Sequence, residues 1–415
     1  SYKMALNNMG AKTSMRKVNP LPEEDLQIPE MLELPASEYI EESAVTPIDT
    51  ALMIRYAAEL SAVFADYPRI FDSDVHFNVE AKDIYRVTSE GQKLRFARPE
   101  IKLNINGNIT TCDGSTLHDQ FEVYARRIDE LPSLDELRQR TREFCELFMK
   151  KADAPVVKEF YVGPIMIEDE SVVEAISHQV VQTSCMASRD MQKGSAVSSM
   201  MLGKRIIDTK MSISQWADTP EYKGQKLLAN YKVDVDGVAP KKSLPIIENG
   251  ILKTLLTGRH PAIGAMESTG NERFQFSSPV SKCTPGIIHV GIDKCVPQAS
   301  MKSIFLKEAK KAGLAHAYIV KAPKDCWKYL VRVDVNTGEE EIVRVNEIPN
   351  PSRSDFMHVT AASKEEFVSN HSHYDYNTVI SYIVPRSIIV ESIEFSFQKP
   401  NRQEGFQLQN PAERK

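Results

Sequence analysis

Apolar positions recur at helical spacing in a few stretches and alternate at strand spacing in most others. In "TPIDTALMIRYAAELSAVFADYP", Leu52, Ile54, Tyr56, Ala57, Leu60, Val63 and Phe64 predict an amphipathic helix that Pro68 ends. "PSLDELRQRTREFCELFMKK" predicts a second, with Leu134, Leu137, Phe144 and Phe148 as its apolar stripe. Ser133 and Glu136 read there as a capping box, and Glu136 with Arg140 as an i,i+4 ion pair. Residues 75–110 alternate apolar and polar, with turns expected at "SEGQ" and "NGN".

Strand signals dominate the second half. It opens with "KEFYVGPIMI", followed by a helical stretch, "VVEAISHQVVQTSC". "KSLPIIENGILKTLLTG" predicts a hairpin, because Asn249-Gly250 supplies a positive-φ turn between two apolar runs. "WKYLVRVDVNTGEEEIVRV" predicts another at Asn336-Thr337-Gly338, and "SYIVPRSIIVESIEFSF" closes with β-branched strands. Residues 1–46 are rich in proline, which predicts an extended segment laid over a surface and excludes a long helix. The pattern gives an α+β fold of two domains, a mixed sheet with helices (1–154) and a strand-rich domain (155–415), divided near "ADAPVV".

Composition narrows the function classes. The 415 residues are 42% hydrophobic and 26% charged, as in globular proteins. No apolar run approaches the roughly 20 residues of a membrane span. A net charge of -6 and a pI of 5.9 argue against direct nucleic-acid contact. Lys307, Lys310 and Lys311 read as the solvated face of a helix. The start "SYKMALNNMG" has no signal-peptide pattern and no initiator Met, so an upstream part is expected to be missing. Cytoplasmic location is favoured over a processed exported protein. Six cysteines without a C-x-x-C pair imply neither a zinc knuckle nor a disulfide framework.

The candidate chemistry gathers on "VVEAISHQVVQTSC". At ~100° per residue Glu174, His178 and Gln182 stack on one helix face, with Cys185 nearby. His371 and His373 form an H-x-H that can meet this face, although "HSHYD" also reads as a polar loop and Glu174 as a solvated acid. Cys185 as a nucleophile with His178 as base fails on distance, roughly 10 Å along the helix. "DGSTLHD" carries Ser115, His118 and Asp119 but reads as a capped helix start. In "STGNERF", Gly270 and Asn271 favour a turn and Arg273 is suited to a carboxylate or a backbone carbonyl.

"YVGPIMIEDESVVEAI", "GKRIIDTKMSISQ", "VDVDGVAPKKSLPIIENGILKTLLTGR", "STGNERF" and "IVPRSIIVESIEF", in this order, resemble the TldD/PmbA family. The resemblance implies a two-domain α+β subunit that dimerises around a peptide-binding cleft, with Asn271 and Arg273 as candidates to line it. In the family's active branch the helix after the "GP" strand carries H-E-x-x-x-H, and a cysteine near the C-terminus completes a zinc site. The PmbA or TldE branch lacks these ligands and partners an active subunit.

Here His178 takes the first histidine position, Gln179 replaces the glutamate and Thr183 the second histidine. "SNHSHYDYN" stands where the cysteine would be. A neutral amide cannot take the proton of a metal-bound water, and threonine is a poor zinc ligand. The expectation is a subunit inactive alone, without a cofactor, in a homodimer or a heterodimer with an intact relative. An extended peptide would be held by strand addition. Two alternatives stay open: a zinc site rebuilt from His178, Glu174, Cys185, His371 or His373, and a gyrase-related regulator acting through protein contacts.

Overall fold

A computed structural model describes the chain except residues 1, 19, 21–22, 45–47, 188, 191–193, 196, 276–280, 374–377 and 396–415, and the side chains of 24, 25, 189, 190, 194, 195, 197 and 373. Tyr2–Val18 form helix α1. The proline-rich expectation therefore fails here: the prolines begin at Pro20, after a proline-free stretch. The extended part starts later, where Leu32 N–H donates to Arg259 O at 2.9 Å and β1 (Glu38–Ile40) joins a sheet.

That first sheet is built on β3 (Lys93–Thr110). β2 (Ile70–Val87) pairs along one edge; on the other, β1 pairs in parallel at Lys93–Arg95 and β4 (Thr116–Ala125) antiparallel from Ile101 onward. Every second residue of β3 and β4, including Leu103, Ile105, Phe121 and Val123, faces a core closed by α2 (Thr50–Ser61) and α3 (Leu134–Asp153).

Both helices lie where the periodicity puts them. Ser133 Oγ accepts from Glu136 N at 3.3 Å, but Arg140 reaches Asp325 at 2.7 Å rather than Glu136. "SEGQ" is the β2–β3 turn. "NGN" is not a turn: it lies inside β3, paired on both sides. The chain reverses at 111–115 instead, so "DGSTLHD" begins a strand and not a helix.

The second half stacks two six-stranded sheets. One runs β14 (Glu340–Val343), β13 (Tyr329–Asp334), β12 (His316–Ala322), β5 (Tyr161–Asp169), β18 (Ser387–Phe395), β15 (Val359–Ala362). The other runs β8 (Ile251–Leu252), β7 (Ser243–Glu248), β6 (Met211–Trp216), β11 (Ile287–Ile292), β17 (Thr378–Pro385), β16 (Glu366–His373). Pairing β9 (Glu272–Phe274) and β10 (Ser281–Cys283) make a small ribbon. Asn249 and Gly250 hold φ of 46° and 75° in the β7–β8 turn, as the Asn-Gly pair requires.

Alternation decides what each face covers. Ile165, Ile167, Ile388 and Val390 point to the core shared by both sheets, while Met166 and Ile389 point to α5 (Gln298–Lys311) on the outside. The shared core holds α4 (Glu170–Ile176) between the sheets, through Val172, Val173 and Ile176. The architecture is α+β with a strand-rich C-terminal region, and no described helix is long and apolar enough to cross a membrane.

Candidate functional site

α4 starts directly after β5, with Asp169 at a φ of 54°, and its first acid, Glu170, points into the protein. Glu170 accepts from Ser369 Oγ at 2.7 and 2.9 Å and from Asp325 N at 3.2 Å. Burial, reinforced by the Asp325 charge, pushes the Glu170 carboxyl up to about 8. Asp325 is raised by burial too, even with Arg140 beside it at 2.7 Å.

After Ile176 the helix continues as a π-helical turn through Ser177–Gln182. The i→i+5 bonding of such a turn accommodates one extra residue, and π-turns recur at functional sites. Val180, Val181 and Ser177 stay buried, and Tyr382 Oη donates to Ser177 Oγ at 2.6 Å. Glu174, His178, Gln179, Gln182 and Thr183 form the outer face. A 3.6-residue repeat gathers only Glu174, His178 and Gln182; the π-turn brings Gln179 and Thr183 to the same side.

The candidate residues divide on this face. Glu174 is not a free solvated acid: Lys328 Nζ donates to its Oε1 at 2.6 Å. Thr183 Oγ1 donates to Gln179 O at 2.7 Å, within one turn. Cys185 leaves the face altogether, fully buried in the shared core with its Sγ 3.6 Å from Val180 O. "NHSH" is strand, not loop: His371 sits on β16 opposite Ile380. Burial and the His178 charge lower the His371 pKa, while Glu174 and Glu122 oppose them, so these groups share one electrostatic neighbourhood. The His373 side chain lies outside the described residues. Among the described residues, no three His, Cys, Asp or Glu side chains gather as a metal-holding group.

Asn271 and Arg273, two residues apart, have different surroundings. Asn271 is fully buried, donating to Gln215 Oε1 at 2.6 Å. Arg273 Nη1 donates to Pro285 O at 2.5 Å and lines a cavity between the first sheet and the second half. Sequence reasoning missed Glu170, Glu122, Asp325, Lys328 and Ser369. The one available signal was an acid in the first turn of a helix between two buried strands, indistinguishable there from an ordinary dipole-compensating residue.

Residues 164–298 match the model of the PmbA/TldA metallopeptidase C-terminal domain. No curated protein matches the chain. Several solved structures share its fold. A Thermotoga maritima protein described as a candidate modulator of a DNA gyrase superposes with a TM-score of 0.57 at 14% identity, covering 89% of this chain and 81% of its own. TldE from Thermococcus kodakarensis gives 0.55 at 13%, covering 92% and 82%. A Bacteroides thetaiotaomicron candidate modulator of DNA gyrase gives 0.54 at 12%, covering 91% and 79%. Residues 164–298 thus match a PmbA/TldA-type metallopeptidase C-terminal domain, set in a fold shared with TldE and the two gyrase-modulator structures.

Proposed function

We propose that this chain is a non-catalytic subunit of the TldD/PmbA type, built of domains 1–154 and 155–415, that dimerises and holds an extended peptide. The observation that carries the reading is the Thr183 Oγ1 bond to Gln179 O at 2.7 Å. It engages the side chain standing at the second-ligand position, beside a Gln179 amide that cannot act as general base. The remaining donors fit a zinc ion poorly. Glu174 is neutralised by Lys328, and Cys185 is buried in the core on the far side of the helix.

Metal content of the purified protein tests this. The expected result is no stoichiometric zinc after reconstitution and no peptidase activity of the chain alone. Stoichiometric zinc that is lost in His178→Ala would overturn the reading in favour of a rebuilt site with His371, whose electrostatic link to His178 and Glu174 is the observation on that side. Regulation of gyrase is a second reading, favoured by the description of two similar structures. It predicts a recoverable complex with gyrase, through protein contacts rather than DNA given the net charge of -6.

A further inference from the structure

A cavity of about 310 Å³ lies between the first sheet and the second half of the chain, lined by three guanidiniums: Arg98 of β3, Arg126 just after β4, and Arg273 of β9. Backbone carbonyls position each one. Arg98 donates to Phe274 O at 3.3 Å, Arg126 to Leu228 O and Asn230 O at 2.6 and 2.8 Å, and Arg273 to Pro285 O and Val379 O at 2.5 and 3.2 Å. Carbonyls orient a guanidinium without neutralising it. Arg98 also lies over the Phe274 ring at 5.5 Å and Arg273 over Tyr231 at 5.2 Å, so the cations stand beside apolar walls.

The acids around the cavity are mostly engaged. Glu41 accepts from Tyr39 Oη at 2.9 Å and Ala97 N at 2.7 Å. Asp234 accepts backbone N–H groups of Asp236, Val238 and Glu272 at 2.9–3.1 Å, and Glu272 is hydrogen-bonded by Ser281. Burial lifts the Glu100 carboxyl to about 7, leaving it part-protonated near neutrality. Burial lowers Arg273 to about 10, and the charges of Arg98 and Arg126 push it the same way. Three mutually repelling cations thus meet carboxylates that are either occupied or part-neutral.

We propose that this cavity binds the carboxylate end of a ligand with an apolar body, the α-carboxylate of a peptide C-terminus or of a free N-acylated amino acid. Planar guanidinium forks match carboxylate geometry. The volume sits at the low end of the roughly 300–1,000 Å³ of ligand pockets, room for an end group and one side chain. A bare inorganic anion would leave the Phe96, Phe274 and Tyr231 walls unfilled. The choice of a peptide end rests on the peptide-holding reading; the carboxylate site does not.

Calorimetric titration of the full chain tests it, using a hexapeptide ending in leucine, its C-terminal amide, N-acetyl-leucine, the amide of that acid, and inorganic phosphate. The free acids are expected to bind at least ten-fold tighter than the amides. Arg98→Gln, which removes a single carbonyl bond, is expected to lose that preference at an unchanged melting temperature; Arg126→Gln, which removes two, is expected to lose it with a lowered melting temperature. Binding of the hexapeptide acid supports a chain end as the source, and of N-acetyl-leucine alone a free acid. Equal affinity for acids and amides, wild-type binding by both variants, phosphate binding tighter than either acid, or no binding of any probe would each overturn the site. A chain that binds the acids yet hydrolyses peptides refutes the non-catalytic reading and leaves this one standing.

Discussion

Thr183 Oγ1 donates to the carbonyl oxygen of Gln179 at 2.7 Å, which ties together the two residues that the proposed reading sets at the second-ligand and general-base positions. Both side chains stand on the outer face with His178 because the turn between them is π-helical. In this geometry an i,i+5 pair projects from the same side. The double variant Gln179→Glu/Thr183→His is therefore expected to acquire zinc, with His178 and the new histidine as first ligands, while Gln179→Glu alone acquires none. Zinc per chain after dialysis reads the result. A metal-free double variant would show that this face does not converge on a common point.

Glu170 gives the stability a pH dependence of defined sign. Its folded pKa is raised to about 8, against 4.5 for a solvated glutamate in the unfolded chain, so the folded state binds the extra proton between these limits. Stability therefore falls as pH rises from about 4.5 to about 8. Ser369 Oγ, Asp325, Lys324 and, through Asp325, Arg140 all face this group, and Asp325 moves in the same direction. Glu170→Gln keeps an acceptor for Ser369 and removes the proton. Its urea midpoint should decline less than that of the wild type between pH 5 and pH 8; an identical decline would place the titrating group elsewhere.

Where sequence and structure agree, the information was local. The α2 and α3 stripes, the Ser133 cap and the Asn249-Gly250 turn all depend on residues within a few positions of each other. Disagreements trace to partners distant in sequence. "NGN" is held in β3 because β2 and β4 pair on both its edges, which overrides its turn preference. Residues 366–373 are strand because β17 pairs with them. The Pro content of residues 1–46, averaged over the segment, hid the proline-free stretch that forms α1. At the site, His178 was legible as the lone histidine of its helix. The π-turn was not, because periodicity arguments assume a uniform repeat. Nor was the Glu170–Asp325 contact, which joins residues 155 apart.

Gly270 stands just before the buried Asn271 at a φ of 74°, and a Cβ there would come within 2.8 Å of Pro240 N. Backbone cannot yield as a flexible side chain can. Gly270→Ala is expected to lose at least about 1–2 kcal/mol, the cost of a left-handed L-residue, before the contact is counted. Urea denaturation measures it. A loss below that range would mean that the turn relaxes, and Asn271 would then be expected to release Gln215.

Cys185 separates the metal-ligand and core readings of this helix most directly. A ligand or nucleophile acts as thiolate and must be reachable. Cys185 is fully buried, packed in the shared core, and burial pushes its thiol up to about 12. At pH 8 only about 10⁻⁴ of such a thiol is ionised. Cys112, by contrast, is exposed. Native alkylation with iodoacetamide at pH 8, mapped by mass spectrometry, should modify Cys112 and spare Cys185 until denaturant is added. Added zinc should leave that pattern unchanged, since protection requires a thiol that was reactive beforehand. Labelling of Cys185 at a rate near that of Cys112, suppressed by zinc, would require the helix to expose its inner face and would return Cys185 to the list of ligands beside His178.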